Sequence, residues 1–315
     1  MTASSWVKQK ERGTSLGMRL MLFVLNTFGY PIASLLLYPV VLYFYITGKR
    51  ARDASLYYLR RVHSVCRSGP LPGLRQSHAH FVSFAQSSLD RMWFWQSKTD
   101  RFQIHTDELD QIQKYLDQGR GCLLLGAHFG NLDSLRVLCG EQQVRLNAVM
   151  YLENAKRFNQ VLNAINPDSQ LNIINLKDRS IDGVMAMKNC IENGELVAML
   201  ADRFHPSART RVVTSSFLGE DASFPANPWL VASLLECPTF FVAGIKIGRR
   251  TYRGTVQFVC DKVQIDRSER EADLKKYVAE YVGFLTALCC RYPYQWFNFY
   301  DFWRADDHLD APDNR

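Results

Sequence analysis

Residues 121–140 read GCLLLGAHFGNLDSLRVLCG, and the class of fold follows from this stretch. Its apolar run at 122–125 predicts a strand covered on both faces, because strands buried inside α/β sheets are continuously hydrophobic. Asn131 is a good N-cap for a helix that has Asp133 in its first turn. The stretch therefore predicts a strand, a short loop that carries His128, and a helix.

The same alternation of apolar runs and amphipathic segments continues after residue 100. Such alternation is typical of an α/β domain. Apolar runs predict further strands at 145–151, 171–175, 195–201, 210–216, 239–247 and 252–259, and amphipathic segments predict helices at 131–141, 154–165, 180–193, 227–236 and 268–290.

The spacing of His128 and Asp133 restricts where the two side chains can meet. Five positions on one helix correspond to about 140° of rotation, so they meet only if His128 lies on the loop. There Asp133 accepts a hydrogen bond from one ring nitrogen, and the other nitrogen acts as a general base for an alcohol. The helix N-terminus then offers backbone amides to a developing oxyanion. The alternative is a loop histidine beside an acid that complements the helix dipole.

Positive charge is concentrated at the start of the chain. Residues 1–75 contain eleven basic and two acidic residues, a net charge of +9, so residues 76–315 sum to −2 in the total of +7. Nucleic-acid binding needs basic residues spread over a folded groove, so we do not expect a nucleic-acid partner.

These basic residues flank a membrane segment at 20–48, LMLFVLNTFGYPIASLLLYPVVLYFYITG, which has no formal charge. About 20 helical residues are enough to cross a hydrocarbon core. Gly29-Tyr30-Pro31 interrupts the segment, and basic flanks on both sides favour the cytoplasmic face. A tilted span, a re-entrant or interface-lying hairpin, and a buried pair of core helices all fit residues 20–47.

Helical periodicity continues from residue 51 to 98, with a break at 69–73. The aromatic run RMWFWQ within it fits either core packing or a cluster at the lipid interface. We expect four regions: a basic-flanked membrane segment at 1–50, a helical connecting region at 51–99, a catalytic domain at 100–305 and a polar tail at 306–315.

The eight cysteines are scattered, and none forms a C-x-x-C pair. Several lie in apolar runs, where a free thiol behaves as a small hydrophobic group. This distribution argues against a disulfide scaffold or a zinc module and favours a reducing compartment. The remaining histidines have no patterned acidic or cysteine partners.

Motifs of other enzyme classes are missing from the sequence. No G-x-S-x-G element occurs, which disfavours a serine hydrolase. The glycines at 121 and 126 lack the Lys-Ser/Thr of a phosphate loop, and no G-x-G-x-x-G follows a strand, so nucleotide chemistry is not supported.

Several ordered blocks resemble the lysophospholipid acyltransferase superfamily and, within it, the bacterial lipid A late acyltransferases. GAHFGNLD at 126–133 resembles the catalytic block H-x-x-x-x-[D/E] of these enzymes. The other similar blocks are VMYLEN at 149–154, GELVAMLADRF at 194–204, FLGEDASFPANPWLVASLLECPTFFV at 217–242 and YPYQWFNFYDFW at 292–303. The resemblance implies an α/β fold with a mixed central sheet flanked by helices and an N-terminal membrane-associated helical segment.

The resemblance also implies the chemistry. His128 and Asp133 would be catalytic, moving an acyl chain from an acyl carrier protein or CoA thioester to a hydroxyl of a lipid A-type precursor or related glycolipid in the membrane. Asn131, Asp202 and Arg203 would bind substrate; Asn131 alternatively caps the helix, and Asp202 and Arg203 alternatively form a structural salt bridge. The acyl thioester is a co-substrate, and neither cofactor nor metal is expected. The implied location is the cytoplasmic face of a bacterial inner membrane.

Three departures from the family pattern bear on the acceptor. Asn227 replaces the usual glycine of F-P-x-G-P, and Leu152-Glu153 stand where an arginine commonly follows the tyrosine. Asp133 replaces the glutamate typical of the lipid A enzymes and resembles relatives associated with aryl-polyene lipids. A catalytically inactive, membrane-docked lipid-binding or pathway-assembly protein is the alternative, and a metal-dependent hydrolase is a third possibility.

Overall fold

The computed structural model describes residues 15–67, 69–96, 98–106, 109–141, 144–151, 172–176, 181–203 and 211–303. The helix expected at 154–165, the pair Leu152-Glu153 and the tail at 306–315 lie outside these residues.

Helices and strands of the described part follow the predicted order closely. The helices are α1 (Ser15–Thr47), α2 (Lys49–Cys66), α3 (Leu74–Trp95), α4 (Asp110–Leu116), α5 (Asp133–Glu141), α6 (Ile181–Glu192), α7 (Asn227–Leu235) and α8 (Arg270–Arg291). The strands are β1 (Gln103–Thr106), β2 (Cys122–Gly126), β3 (Leu146–Tyr151), β4 (Asn172–Leu176), β5 (Leu196–Leu200), β6 (Val212–Phe217), β7 (Glu220–Pro225), β8 (Thr239–Lys246) and β9 (Thr251–Cys260).

The central sheet has seven strands in the order β1-β9-β8-β2-β5-β3-β4, and β6 and β7 form a separate pair. Strand β8 is antiparallel to β9, whereas β2 is parallel to both β5 and β8. The prediction of an α/β fold with a mixed sheet flanked by helices is confirmed. The carboxyl ends of β2, β3, β4, β5 and β8 share one edge with the first residues of β1 and β9. This edge is called the carboxyl edge below.

Two strands and one helix were not predicted, for identifiable reasons. Strand β1 has four residues of alternating burial, and β7 begins with two acidic residues, so neither is a continuous apolar run. Helix α4 has seven residues, which is too short for a clear helical period.

Contacts divide the chain into two compact units. The first contains described residues within Met1–Met92, Thr214–Ser223 and Leu285–Arg315, and the second contains those within Trp93–Val213 and Phe224–Phe284. The whole seven-stranded sheet belongs to the second unit. Its core on one sheet face joins β2, β5, β8 and β9 to α4 and α5.

In the first unit, α1 is interrupted at Gly29, where φ is 78°, as the sequence predicted. The part from Leu20 to Thr47 is long and apolar enough to cross a membrane, with a mean hydropathy of 1.8. Tyr30 is buried on α1 and donates a hydrogen bond of 2.8 Å to the buried Asp90 of α3. Many large apolar side chains on the other faces of α1 are exposed.

A disulfide joins Cys66 at the end of α2 to Cys290 in the last turn of α8, both in the first unit. The other six cysteines are free thiols. The expectation of unpaired cysteines is therefore wrong for this pair. It failed because the partners are 224 positions apart, and sequence spacing reveals only short-range cysteine patterns.

Candidate active site

The loop at 127–132, between β2 and α5, carries His128, as the sequence predicted. Gly130 has a φ of 60°, in the left-handed region that favours glycine, and forms a parallel bridge with Gly244 of β8. The amide of Asn131 donates to the carbonyl of Gly244 at 2.7 Å. The neighbouring strand therefore fixes the path of the loop.

The residue before the loop is held from the opposite side. Tyr281 of α8 is buried, and its hydroxyl donates a hydrogen bond of 2.8 Å to the carbonyl of Gly126. The amide of Ala201, after β5, donates to the same carbonyl at 2.9 Å. The bond from Ala201 links the carboxyl ends of β2 and β5, the strands that precede His128 and Asp202, and the bond from Tyr281 ties this point to α8.

Asp202 holds His128 through two contacts. The Nδ1 atom of His128 lies 2.8 Å from Oδ1 of Asp202, and the backbone amide of His128 donates to Oδ2 at 3.0 Å. The side chain of Asp202 has no exposed surface, whereas that of His128 is 36% exposed. The carboxylate is thus sealed beneath an imidazole that reaches the surface.

This geometry assigns the tautomer of the neutral ring. An ionised carboxylate only accepts hydrogen bonds, so Nδ1 of His128 carries the proton and the basic lone pair lies on Nε2. Burial by itself raises the pKa of Asp202, but the charge and hydrogen bonds of His128, together with the charge of Arg203, hold that pKa well below its ordinary value. Asp202 is therefore an anion that both orients the ring and stabilises its protonated form.

Arg203 lies next to this pair. Its Nε atom is 3.9 Å from Oδ2 of Asp202, and its side chain is 24% exposed. The salt bridge considered from the sequence is thus present. Binding of a substrate phosphate by Arg203, and any direct contact of Asp202 with substrate, stay predictions.

Asp133 occupies the first position of α5, where a carboxylate also complements the helix dipole. The indole Nε1 of Trp95, at the end of α3, donates to its Oδ1 at 3.1 Å. Trp95 is 7% exposed, so this hydrogen bond is shielded from solvent. The catalytic role of Asp133, and its hydrogen bond with the His128 ring, stay predictions.

Asn131 is buried and caps α5. Its Oδ1 accepts a hydrogen bond from the amide of Asp133 at 3.2 Å, and its carbonyl accepts from the hydroxyl of Ser134 at 2.7 Å. The capping role considered from the sequence is therefore observed, and substrate contact stays a prediction. The amides of Asn131, Asp133 and Ser134 all donate to protein oxygens, so they are not the oxyanion donors that we expected from this helix.

Sequence reasoning missed two relationships in this site. It treated Asp202 as a substrate ligand and missed its hydrogen bond with His128, because 74 residues separate the two. A usable sign was present: each residue follows a short, buried apolar run, and parallel strands bring such ends together. The contact of Trp95 had no comparable sign in the sequence, because an aromatic run predicts only packing.

In the described part of the chain, no group of three or more His, Cys, Asp or Glu side chains could hold a metal ion.

One known family matches this chain. The family model described as bacterial lipid A biosynthesis acyltransferase matches residues 73–303, which include both strands of the site and the loop with His128. No significant match is found among curated proteins. Because the match covers most of the chain, the protein belongs to the bacterial lipid A biosynthesis acyltransferase family and is an acyltransferase enzyme.

Proposed function

We propose that this enzyme transfers a fatty acyl chain from the thioester of an acyl carrier protein or of CoA to a hydroxyl of a lipid A-type precursor or related glycolipid. An acceptor from the aryl-polyene lipids falls within the same chemistry. The observation that carries the proposal is the contact between Nδ1 of His128 and Oδ1 of Asp202 at 2.8 Å, at the carboxyl edge of the sheet.

The proposed reaction begins with proton removal from the acceptor. Nε2 of His128 takes the hydroxyl proton while the oxygen forms a bond to the thioester carbonyl carbon, and Asp202 stabilises the imidazolium. The tetrahedral intermediate then expels the thiolate. The imidazolium returns its proton to this sulfur, so the products are the acylated lipid, a free thiol and neutral His128. The reaction requires neither a metal ion nor an organic cofactor.

Asp133 supports the same step in this proposal. It lies five positions after His128 at the N-terminus of α5, and Trp95 fixes one of its oxygens. A carboxylate held at this place adds negative potential near an imidazole that becomes positive during the reaction. Arg203 supplies a planar guanidinium beside the pair, which suits a phosphate of the donor or acceptor.

Membrane association follows from α1 in this proposal. A lipid acceptor stays in the bilayer, so the enzyme must work at its surface. Helix α1 presents exposed apolar side chains, and Lys49 and Arg50 follow it after Gly48. We place the catalytic part on the cytoplasmic face of a bacterial inner membrane, because basic flanks favour that side.

The direct test measures acyl transfer by full-length protein in membranes. His128→Ala should lower the rate by about a thousandfold or more, because general-base catalysis and the proton return to sulfur are both lost. His105→Ala, which changes a histidine of β1 in the same unit, is the matched control. Normal transfer by His128→Ala in folded protein would refute the mechanism. Absence of transfer by the wild type, together with an unchanged cellular phenotype of His128→Ala, would favour the inactive, lipid-binding alternative.

The acceptor can be identified in cells. Mass spectrometry of lipids from a strain that lacks the protein should show one glycolipid that has lost a single acyl chain. The mass difference gives the chain length of the donor, and the remaining lipid identifies the acceptor class. Complementation with the wild type restores the missing chain, whereas complementation with His128→Ala does not.

A further inference from the structure

Helix α1 is packed along one face only. After the interruption at Gly29, the residues Ala33, Leu37, Val41 and Tyr45 recur every four positions, and all four are buried. This spacing corresponds to one face of a helix. The other faces of the same part carry large apolar side chains that are 40% to 67% exposed, namely Ile32, Leu35, Leu36, Tyr38, Val40, Leu42, Tyr43 and Ile46. A contiguous apolar surface of this kind indicates an interaction partner.

Helix α3 contacts the packed face of α1 along most of its length. Tyr30 donates to Oδ1 of Asp90 near the end of α3, and the hydroxyl of Tyr45 donates to the carbonyl of Leu74 at its beginning, at 2.7 Å. The ring of Tyr45 also meets that of Phe81 edge to face, with 5.2 Å between the centres. The two helices therefore run antiparallel, side by side, for about 22 Å.

Helix α3 is unsuited to a hydrocarbon environment. It carries Arg75, Asp90 and Arg91, and charged groups in the middle of a bilayer are costly. From its buried His80, Nε2 donates at 2.9 Å to the carbonyl of Trp296, so α3 also packs on the closing segment of the first unit. Among the described residues, α1 is the only helix that is long and apolar enough to cross a membrane. If α1 crossed the bilayer, it would have to take α3 with it or lose this packing.

The interruption at Gly29 also argues against a crossing. The backbone there is not helical, so α1 consists of two arms, Ser15–Phe28 and Tyr30–Thr47. At about 1.5 Å per residue the arms are about 21 and 27 Å long, and each is shorter than a hydrocarbon core of roughly 30 Å.

The end of α1 combines positive charge with exposed leucines. Lys49 and Arg50 are exposed, and Arg75 follows Leu74, whose carbonyl is bonded to Tyr45. Leu74 is 62% exposed and Leu71 is 69% exposed. Residues 49–75 contain seven basic residues and one acid, a net charge of +6.

This combination selects the partner of the exposed face. Helices that lie in a membrane interface join an apolar face to basic residues, and anionic headgroups attract such residues. A second copy of the chain would instead bring the same positive charge against itself in a two-fold contact. The exposed face of α1 therefore fits an anionic phospholipid leaflet.

We propose that α1 does not cross the bilayer but lies in one leaflet, as the outer layer of the first unit. Its exposed face is buried about 5–10 Å deep, at the boundary of headgroups and acyl chains. At its end, Leu71 and Leu74 enter the same leaflet, and Lys49, Arg50 and Arg75 contact the headgroups. Both ends of α1 are then on the same side of the membrane. This inference rests on the membrane association in the proposed function and selects one of the three arrangements that fit residues 20–47.

The first test determines on which side each end of α1 lies. Full-length Gly17→Cys and Asp53→Cys, which change exposed residues on either side of the apolar segment, are treated with a maleimide that does not cross membranes. Labels beyond those of wild type are counted in spheroplasts and in inside-out vesicles. We expect both variants to gain a label in inside-out vesicles and neither in spheroplasts. Labelling of the two positions from opposite sides would overturn the proposal.

The second test measures depth in the bilayer. In full-length protein with Cys190→Ser/Cys260→Ser, which removes the partly exposed thiols, Leu35→Cys, Ile46→Cys and Leu74→Cys each receive a small fluorophore. The vesicles contain phosphatidylethanolamine and phosphatidylglycerol with bromine atoms at a shallow or a deep position of the acyl chains. Shallow bromines should quench all three probes by about half, and deep bromines should have a much smaller effect.

Val65→Cys is the matched control for depth. Val65 is an apolar residue of the same unit and 43% exposed, but it lies about 24 Å along α2 from Lys49, so it should be quenched much less. Equal quenching of this control would overturn the assignment of the docking face. Stronger quenching of Leu35→Cys by deep than by shallow bromines would indicate a crossing helix and overturn the proposal. Unquenched probes on a protein that dimerises with concentration would overturn it in favour of a second copy.

Failure of the proposed reaction gives a different result, because neither test depends on acyl transfer. If the protein transfers no acyl chain but both ends of α1 are labelled from one side and the probes lie at shallow depth, the docking face stands and the reaction must be revised.

Discussion

The indole Nε1 of Trp95 donates a hydrogen bond of 3.1 Å to Oδ1 of Asp133. The donor comes from the end of α3 and the acceptor from the first turn of α5. A buried hydrogen bond to a charged acceptor is strong, so it holds that acceptor in place. Trp95 is thus a positioning residue for Asp133 if this carboxylate takes part in catalysis.

Trp95→Phe should therefore lower kcat by about ten- to a hundredfold with little change in KM, because the hydrogen bond to the carboxylate is lost while an aromatic ring remains at this position. A double-mutant cycle with Asp133→Asn should show clearly non-additive effects on kcat. Trp303→Phe is the matched control, since Nε1 of Trp303 donates at 3.2 Å to the carbonyl of Phe217. Additive effects in the cycle would contradict the positioning role.

Asp202→Asn tests the buried carboxylate under His128. It keeps the shape of the side chain but removes the charge and allows the wrong ring tautomer, so kcat should fall by about 10²- to 10⁴-fold. Because Asp202 is an anion throughout the neutral range, its own titration should not appear in the pH profile of the wild type. Loss of the anion destabilises the imidazolium, so the acid limb of kcat/KM should move to lower pH. A mere rise in KM at constant kcat would instead support a substrate-binding role.

The sequence revealed the loop with His128 more completely than its surroundings. The apolar run of β2, the N-cap Asn131 and the helical period after Asp133 are local features, and each was read correctly within a few residues. The family resemblance agreed with them.

Relationships across the chain were harder to predict. The contact of His128 with Asp202 depends on the pairing of β2 with β5, and the Cys66–Cys290 disulfide depends on the ends of two distant helices. Local periodicity does not specify such pairs.

Gly244→Ala tests the close approach of the His128 loop to β8. A Cβ at Gly244 would lie inside van der Waals contact with the carbonyl oxygen of Asn131 and the hydroxyl of Ser134. The start of α5 must then move, so we expect a loss of about 1–3 kcal/mol in stability and a lower kcat. Gly283→Ala is the control, because a Cβ at this position of α8 meets nothing within 4 Å. The measurements are thermal unfolding and acyl transfer of both variants. A melting temperature and kcat equal to those of wild type in Gly244→Ala would contradict the close approach of the loop to β8.

The burial of His80 predicts that the folded protein loses stability as the pH falls. Burial lowers its pKa to about 4, partly opposed by the hydrogen bond between its Nε2 and the Trp296 carbonyl. Since Nε2 donates, Nδ1 accepts from Ser55, which in turn accepts from Ser77. The folded state binds this proton only below about pH 4, whereas the unfolded chain binds it below its ordinary value of 6.5. Stability from the neutral ring is therefore complete above pH 6.5 and is lost as the pH falls toward 4.

Thermal unfolding between pH 7.5 and 5 measures this effect. The melting temperature of wild type should fall over that range, and His80→Gln should be less stable at neutral pH but show a smaller decrease on acidification. His105→Gln should retain the wild-type decrease. If His80→Gln loses as much stability on acidification as wild type, His80 is not the responsible group.

The Cys66–Cys290 disulfide provides a test of the proposed location. Disulfides persist in oxidising compartments and are reduced in the cytoplasm. On the cytoplasmic face, these two cysteines should be thiols in growing cells, and the disulfide should form only after purification in air. Closure of so long a loop should then stabilise the oxidised protein by about 2–4 kcal/mol relative to Cys66→Ser.

The measurement is alkylation in cells that are lysed directly into denaturant with a maleimide of known mass. Without reductant, wild type should carry two more labels than Cys66→Ser/Cys290→Ser, because all other cysteines are common to both proteins. Reductant should add no further label to either protein. If the two additional labels appear only after reductant, the pair is oxidised in the cell and the cytoplasmic placement is wrong. The family membership and the His128 chemistry do not depend on that outcome, since the family match rests on sequence and the contact of His128 with Asp202 lies within the second unit.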